Sequence, residues 1–163
     1  MSTAASLVVG ADGSTTVNGT SQGVSSLADR SVFLTRRKEF DVIIIGGNTA
    51  RTEPYERTPV PLVVLTRSGV NPVPENPKAH IWSMEPAQAI ERASKEFGEN
   101  ILIEAGASLI SEMLNGDLID EFFLTVTPIQ GGENVVNWLA ILDNFQFVEK
   151  RQLEGTLFYH AFH

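Results

Sequence analysis

The chain has 163 residues, of which 42% are hydrophobic and 20% are charged, and its formal net charge is −8. These values are typical of a globular protein and exclude the disordered and membrane classes, and the length predicts one domain over residues 1–163. No apolar run approaches the roughly 18 residues of a membrane span, and no signal peptide opens the chain, so we expect a cytoplasmic protein with no membrane partner. The acidic charge argues against nucleic-acid binding.

The chain contains no cysteine, which excludes a disulfide framework, a thiolate nucleophile and a cysteine-ligated zinc site. Its three histidines, His80, His160 and His163, are isolated, so we expect no metal site. Residues 1–82 hold eight Lys/Arg and seven Asp/Glu, whereas residues 83–163 hold four Lys/Arg and thirteen Asp/Glu. This asymmetry favours an anionic ligand in the first half. The alternative is that the second half is simply an acidic solvated surface.

Strands and helices alternate along most of the chain. Ser26, with Asp29 three residues later, resembles a helix-capping signal, and the apolar run Asp41–Ile45 is typical of a strand buried on both faces. In chain order, the predicted elements are strand 4–9, helix 26–38, strand 41–45, strand 62–65, strand 80–83, helix 85–97, strand 100–104, helix 108–114, strand 121–126, and a hairpin of 145–153 and 156–162.

This order predicts an α/β fold with a mostly parallel central sheet, helices on both faces and an antiparallel C-terminal hairpin. In such sheets, ligands bind beyond the carboxyl ends of the strands. Two glycine turns, Gly46-Gly47-Asn48-Thr49 and Ala105-Gly106-Ala107, follow predicted strands at those ends. We therefore expect the site between them.

The chemistry of both glycine turns suits a phosphate, because glycine lets backbone N–H groups approach an anion and a helix N-terminus favours negative charge. The alternative is that the glycines only permit tight turns and close packing. Neither turn is a G-x-G-x-x-G fingerprint or a Walker loop, so a standard Rossmann site and a P-loop are disfavoured.

Three charged residues are further candidates for the site. Glu104 ends an apolar strand, where a carboxylate is costly to bury unless it is paired or used. It could accept hydrogen bonds from a substrate ring or cap the next helix. Arg36 and Arg37 end a predicted helix and could be solvated charges at the helix terminus or a substrate phosphate site.

Taken together, the segments resemble the reductase domain that forms the C-terminal part of the bifunctional riboflavin-biosynthesis protein RibD and also occurs as stand-alone proteins, particularly the actinobacterial type. The resemblance runs from about Leu7 to the C-terminus. Its specificity comes from the order and spacing of several short motifs. These motifs are Ala11-Asp12-Gly13, Gly19-Thr20-Ser21-Gln22-Gly23, Ala28-Asp29-Arg30, residues 41–55, Ile103-Glu104-Ala105-Gly106-Ala107-Ser108-Leu109, and Asp120-Glu121 leading to Thr127-Pro128.

The resemblance implies a dihydrofolate-reductase-like fold. It also implies that NADPH delivers a hydride to the ribosyl carbon of 5-amino-6-(5-phosphoribosylamino)uracil, giving the ribitylamino product. Neither a protein nucleophile nor a metal is needed, so catalysis would rest on orientation. The implied cofactor contacts are Gly46, Gly47, Thr49, Glu53, Gly106, Ala107, Ser108, Leu109, Ile110 and Ser111. The implied substrate contacts are Ser21, Arg37 at the ribose phosphate, Glu104 at the pyrimidine edge, and Arg57 as a second phosphate contact.

Some features depart from the family pattern and leave alternatives open. Gly10-Ala11-Asp12-Gly13 stands where Ser-Leu-Asp-Gly is usual, and the connections between Leu65 and Trp82 are short. The substrate could therefore be dihydrofolate or another imine or carbonyl compound, or the chain could be a catalytically silent nucleotide-binding module. We also expect a homodimer, from the resemblance and from the apolar segment Val135–Leu142, although that segment could equally belong to the core.

Overall fold

The computed structural model describes residues 1–163, and its centre is one eight-stranded sheet with the strand order β4-β3-β2-β5-β1-β6-β8-β7. In chain order the elements are β1 (Ser2–Gly10), α1 (Leu27–Arg36), β2 (Val42–Gly46), α2 (Gly47–Thr52), β3 (Leu62–Leu65), β4 (Ala79–Trp82), α3 (Pro86–Glu96), β5 (Asn100–Ile103), α4 (Ala107–Asn115), β6 (Glu121–Thr127), α5 (Trp138–Leu142), β7 (Phe147–Leu153) and β8 (Thr156–Phe162). None of the helices combines the length and apolar character needed to cross a bilayer.

The sheet is parallel except at β8, which runs antiparallel to both of its neighbours, β6 and β7. Its central strands are buried on both faces because consecutive apolar side chains point to opposite sides. In β2, Val42 and Ile44 pack with residues of α3, α4 and α5, whereas Ile43 and Ile45 pack with the opposite core, which includes Ala50 of α2. The predicted fold class is therefore confirmed.

The C-terminal hairpin turns at Glu154 and Gly155, whose φ angles of 52° and 79° suit a two-residue turn of the kind that matches strand twist. The last strand of the chain, β8, lies inside the sheet. The strand before it, β7, forms the sheet edge, and all seven of its residues are exposed. The predicted antiparallel hairpin is confirmed.

The start of α1 follows the predicted capping signal. The Ser26 hydroxyl accepts a hydrogen bond from the backbone N–H of Asp29 at 3.1 Å, which satisfies one of the free donors of the first turn. The sequence also predicts an amphipathic helix here, with Leu27, Val32, Phe33 and Leu34 as its apolar positions. This prediction is wrong in part, since Leu27 is 89% exposed and Leu34 is 42% exposed. The helix instead buries Ala28 and Asp29, because its inner face borders a polar cleft.

Candidate active site

A cleft of about 590 Å³ lies at the carboxyl ends of β1, β2 and β5. Its walls are the inner face of α1, the segment from Asn48 to Tyr55, the turn from Glu104 to Ser108, the loop after β1 and the segment from Asn134 to Val136. The neighbouring strands bring the two glycine-containing segments together, because β5 pairs directly with β2 and Ile44 is in register with Ile103. The predicted position of the site, between the two turns, agrees with this cleft.

The two glycine turns differ in what they pack against. Gly47 is buried, and a Cβ there would lie 3.1 Å from Thr66 Cβ and 3.2 Å from Arg51 Nη1, so close packing accounts for this glycine. Gly106 lines the cleft, has a φ of −70°, and would place a Cβ no nearer than 3.9 Å to Thr49 Oγ1. Neither packing nor backbone conformation therefore demands glycine at position 106.

The turn at Gly106 is open to a ligand. The first N–H groups of any α-helix lack intrahelical partners, and Gly106, the N-cap of α4, supplies no side-chain cap for them. Ala107 and Ser108 also line the cleft, and the Thr49 hydroxyl lies beside the turn. Small residues, backbone donors and a hydroxyl are suited to the phosphates of a dinucleotide. The residues present therefore fit a nicotinamide cofactor on this side of the cleft.

A buried ion pair crosses the back of the cleft. Arg37, in the short 3₁₀ turn after α1, donates from Nε and Nη2 to the Glu104 carboxylate at 2.8 to 3.1 Å. The Tyr55 hydroxyl donates to the same carboxylate at 3.0 Å. All three residues are buried, yet both charged residues line the cleft. Glu104 is thus paired, as its burial required, and it does not cap α4.

The ionisation of this cluster follows from its partners. Burial alone would lower the pKa of Arg37, but the hydrogen bonds and the negative charge of Glu104 outweigh burial and raise it. Burial, reinforced by the Glu104 carboxylate, raises the pKa of Tyr55 well above its ordinary value. Tyr55 is therefore a neutral hydrogen-bond donor over the whole physiological range.

A second contact joins two walls of the cleft. The Glu53 carboxylate accepts hydrogen bonds from the backbone N–H of Ser21 at 2.7 Å and from its hydroxyl at 3.1 Å. Ser21, an implied substrate contact, and Glu53, an implied cofactor contact, are therefore bound to each other. This contact holds the loop after β1 against the end of α2.

Some of the predicted site residues line the cleft, and others lie outside it. Ser21, Arg37, Thr49, Glu53, Glu104, Gly106, Ala107 and Ser108 line the cleft. Gly46, Gly47, Arg57, Leu109, Ile110 and Ser111 do not. Ile110 is a core residue, whereas Arg57 and Ser111 are exposed to solvent.

Most of the residues that line the cleft were not predicted from the sequence, and three of them, Arg30, Phe33 and Tyr55, border the buried ion pair. Arg30 and Phe33 precede Arg37 by seven and four positions, so α1 and its 3₁₀ extension present them on one face. In the sequence, this spacing could have been recognised as one helix face that contains Arg37. Tyr55 lay inside a motif that the resemblance used, but no local pattern shows that its hydroxyl reaches Glu104, 49 residues away.

The mixed sheet with its carboxyl-end cleft defines the class of protein: an α/β protein with a dihydrofolate-reductase-like fold. The model of the family described as the RibD C-terminal domain matches residues 3–154, and the chain therefore belongs to this family. The resemblance noted in the sequence is thus confirmed.

Solved structures share this fold. A deaminase/5-amino-6-(5-phosphoribosylamino)uracil reductase from Thermotoga maritima superposes with a TM-score of 0.77 at 16% identity, covering 99% of this chain and 56% of that one. A pyrimidine reductase-like protein from Corynebacterium diphtheriae superposes with a TM-score of 0.74 at 17% identity, and the match covers 99% of this chain and 91% of that one. RibD from Acinetobacter baumannii superposes with a TM-score of 0.71 at 20% identity, and the match covers 99% of this chain and 57% of that one.

Among curated sequences, the uncharacterized protein YwjB of Bacillus subtilis is 34% identical over 65 residues, which is 40% of this chain and 35% of that protein. The chain thus matches about a third of that relative and spans little more than half of the Thermotoga and Acinetobacter proteins.

Proposed function

We propose that the chain is an NADPH-dependent reductase that converts the ribosyl group of 5-amino-6-(5-phosphoribosylamino)uracil to the ribitylamino group. The observation that supports this most directly is the cleft, in which the open Gly106 turn lies beside the buried pair of Arg37 and Glu104 in a chain of the RibD C-terminal domain family. The Gly106 turn offers backbone donors for a cofactor, and the buried pair offers polar groups for a pyrimidine.

The cofactor side of the proposal rests on Thr49, Gly106, Ala107 and Ser108. These residues would hold the phosphates of NADPH, and the nicotinamide, when bound, supplies a hydride. Holding the reacting carbon in one orientation is then the main contribution of the chain, because no side chain has to form a covalent intermediate.

The substrate side of the proposal rests on the hydrogen-bonding capacity that the Arg37–Glu104 pair leaves free. Oε1 of Glu104 accepts from Arg37 twice and from Tyr55, whereas Oε2 accepts only from Arg37 Nε. Oε2 therefore keeps capacity to accept a hydrogen bond from a pyrimidine N–H. Nη1 of Arg37 makes no hydrogen bond within the chain and is available to an anion. Arg30 is a second cation on this wall.

The test is consumption of NADPH in the presence of the ribosylaminopyrimidine, with the ribitylamino product identified by mass spectrometry. We expect consumption that depends on both protein and substrate and that is weaker with NADH. No product above the background without protein would contradict the proposal.

One observation favours a second candidate, a reductase of the same class that acts on an unphosphorylated imine or carbonyl compound. Arg57, the implied second phosphate contact, is exposed and away from the cleft, and the charge of Arg37 is already balanced by Glu104. Comparing turnover of the phosphorylated pyrimidine with its dephosphorylated form distinguishes the candidates. Equal turnover would favour the second.

We further propose a homodimer. Val135 lines the cleft, Leu139 is 59% exposed and Leu142 is buried, so the apolar segment Val135–Leu142 is divided between the cleft, the surface and the core. Sedimentation of the wild type and of Leu139→Glu tests this interface, and a wild-type monomer would contradict it.

A further inference from the structure

A second groove, separate from the cleft, lies on the face of the sheet formed by β6, β8 and β7. It has a volume of about 490 Å³. Phe123, Phe158 and His160 form its aromatic part, and His160 stacks on Phe123 with the ring centroids 4.6 Å apart. The groove is not part of the proposed reductase site.

Three cations line this groove, namely Arg36 at the end of α1 and Lys150 and Arg151 on the edge strand β7. The side chains of Arg36 and Arg151 lie over Phe123 and Phe158, whereas Lys150 alternates with Arg151 along β7 and its Nζ lies 5.9 Å from the Tyr159 ring on the other face of the sheet. None of them forms an ion pair. The only acidic residue of the lining is Glu149. Lys150 and Arg151 are half of the four basic residues in positions 83–163, so this is a basic surface on a chain of net charge −8.

Arg36 is the cation that most clearly lacks an anionic partner. It is partly buried, its Cζ lies 4.1 Å from the Phe123 ring centroid, and its one hydrogen bond is from Nη1 to Ser6 Oγ at 3.3 Å. The adjacent Arg37 binds a buried carboxylate, but Arg36 has no such partner. Burial lowers the pKa of Arg36, and this effect outweighs the nearby carboxylates of Asp29 and Glu39, which raise it; Arg151 lowers it further. A desolvated cation beside a second cation is stabilised by a bound anion.

We propose that this groove binds a phosphate group, held by Arg36 and Arg151. A phosphate fits better than a flat aromatic ligand, because Arg36 and Arg151 already cover the faces of Phe123 and Phe158, at 4.1 and 4.9 Å. The phosphate could belong to free pyrophosphate or to a sugar phosphate ester, and both present the same charged oxygens.

The experiment is a titration of the full-length protein, followed by amide chemical shifts at constant ionic strength, with pyrophosphate in one arm and ribose 5-phosphate in the other. We expect saturable shifts at Phe123, Lys150, Arg151 and His160. The arm with the tighter binding identifies the source of the phosphate. Shifts confined to the cleft, around Gly106, would overturn the proposal, as would no shift in either arm.

Two variants test the assignment to the groove. Arg151→Gln should weaken binding by about tenfold, since a charge-assisted contact is lost. Arg67→Gln, a matched change at an exposed arginine away from the groove, should leave binding unchanged. Arg36→Lys keeps the charge and should retain most of the affinity. Unchanged binding in Arg151→Gln would overturn the assignment.

Two other results would show that the groove has a different occupant, and each would contradict the proposal. Tight binding of an oligoglutamate peptide without a response to either phosphate would indicate a docking site for an acidic protein segment. Self-association that Arg151→Gln abolishes, again without a response to phosphate, would indicate that a second copy covers the groove.

Discussion

Arg37 Nη2 lies 2.8 Å from Glu104 Oε1, and the two side chains are only 8% and 3% exposed. The residues are 67 positions apart, so the pair ties the end of α1 to the end of β5. Both residues line the cleft that the proposed reaction uses. The pair is therefore at once a stabilising contact and a wall of the candidate site.

Removing one partner of this pair should destabilise the fold. Glu104→Gln leaves the Arg37 charge buried without its counter-ion, and we expect the free energy of unfolding to fall by about 3 kcal/mol. Urea unfolding followed by circular dichroism measures the loss. Glu91→Gln removes an exposed pair with Lys95 on α3 and should leave stability nearly unchanged.

Removing both partners together should be less harmful than removing one. In Arg37→Met combined with Glu104→Leu, no buried charge is left unpaired, so the double variant should unfold at a higher urea concentration than either single variant. Additive losses in the double variant would contradict the buried-pair interpretation.

The raised pKa of Tyr55 predicts a loss of stability at high pH. The unfolded chain releases the phenolic proton near pH 10, whereas the folded chain retains it, so stability is fully present below that pH and falls progressively above it. Thermal unfolding from pH 8 to 11 measures the trend. Tyr55→Phe should be less stable at neutral pH, because the hydrogen bond to Glu104 is lost, and should show a flatter decline at high pH.

The two glycine turns should respond differently to alanine. Gly47→Ala forces a methyl group to 3.1 Å from Thr66, and we expect a loss of about 1 to 3 kcal/mol. Gly106→Ala meets nothing closer than 3.9 Å and should fold normally, but its methyl group lies where a cofactor would approach the backbone. Thermal unfolding and NADPH titration by fluorescence separate the two effects. Unimpaired NADPH binding in Gly106→Ala would contradict the cofactor assignment.

The cap of α1 gives a prediction that is independent of any ligand. Ser26→Ala removes the bond to the Asp29 N–H and the 2.8 Å contact with the Thr156 hydroxyl, and we expect a loss of about 1 kcal/mol. Ser83→Ala, at an exposed serine that makes no hydrogen bond through its side chain, is the control for urea unfolding. Equal stability of the two variants would show that the cap contributes nothing.

Much of the fold was predictable because its signals are local. The apolar run Asp41–Ile45 and the Ser26 cap act through neighbouring residues, and the structure confirms both. The outer face of α1 was not predictable, because the exposure of Leu27 and Leu34 depends on what the rest of the chain packs against that helix. The same applies to Val135–Leu142, which is divided between the cleft, the surface and the core.

The sequence by itself determined the alternation of elements, the parallel sheet and the position of the cleft, because apolar periodicity and glycine turns act over a few residues. Only the tertiary structure decided that Gly47 packs against Thr66 while Gly106 faces the cleft, and that Glu104 binds Arg37 and Tyr55. These contacts join residues far apart in the chain, whose distances are set by the pairing of β2 with β5 and the packing of α1 on the sheet.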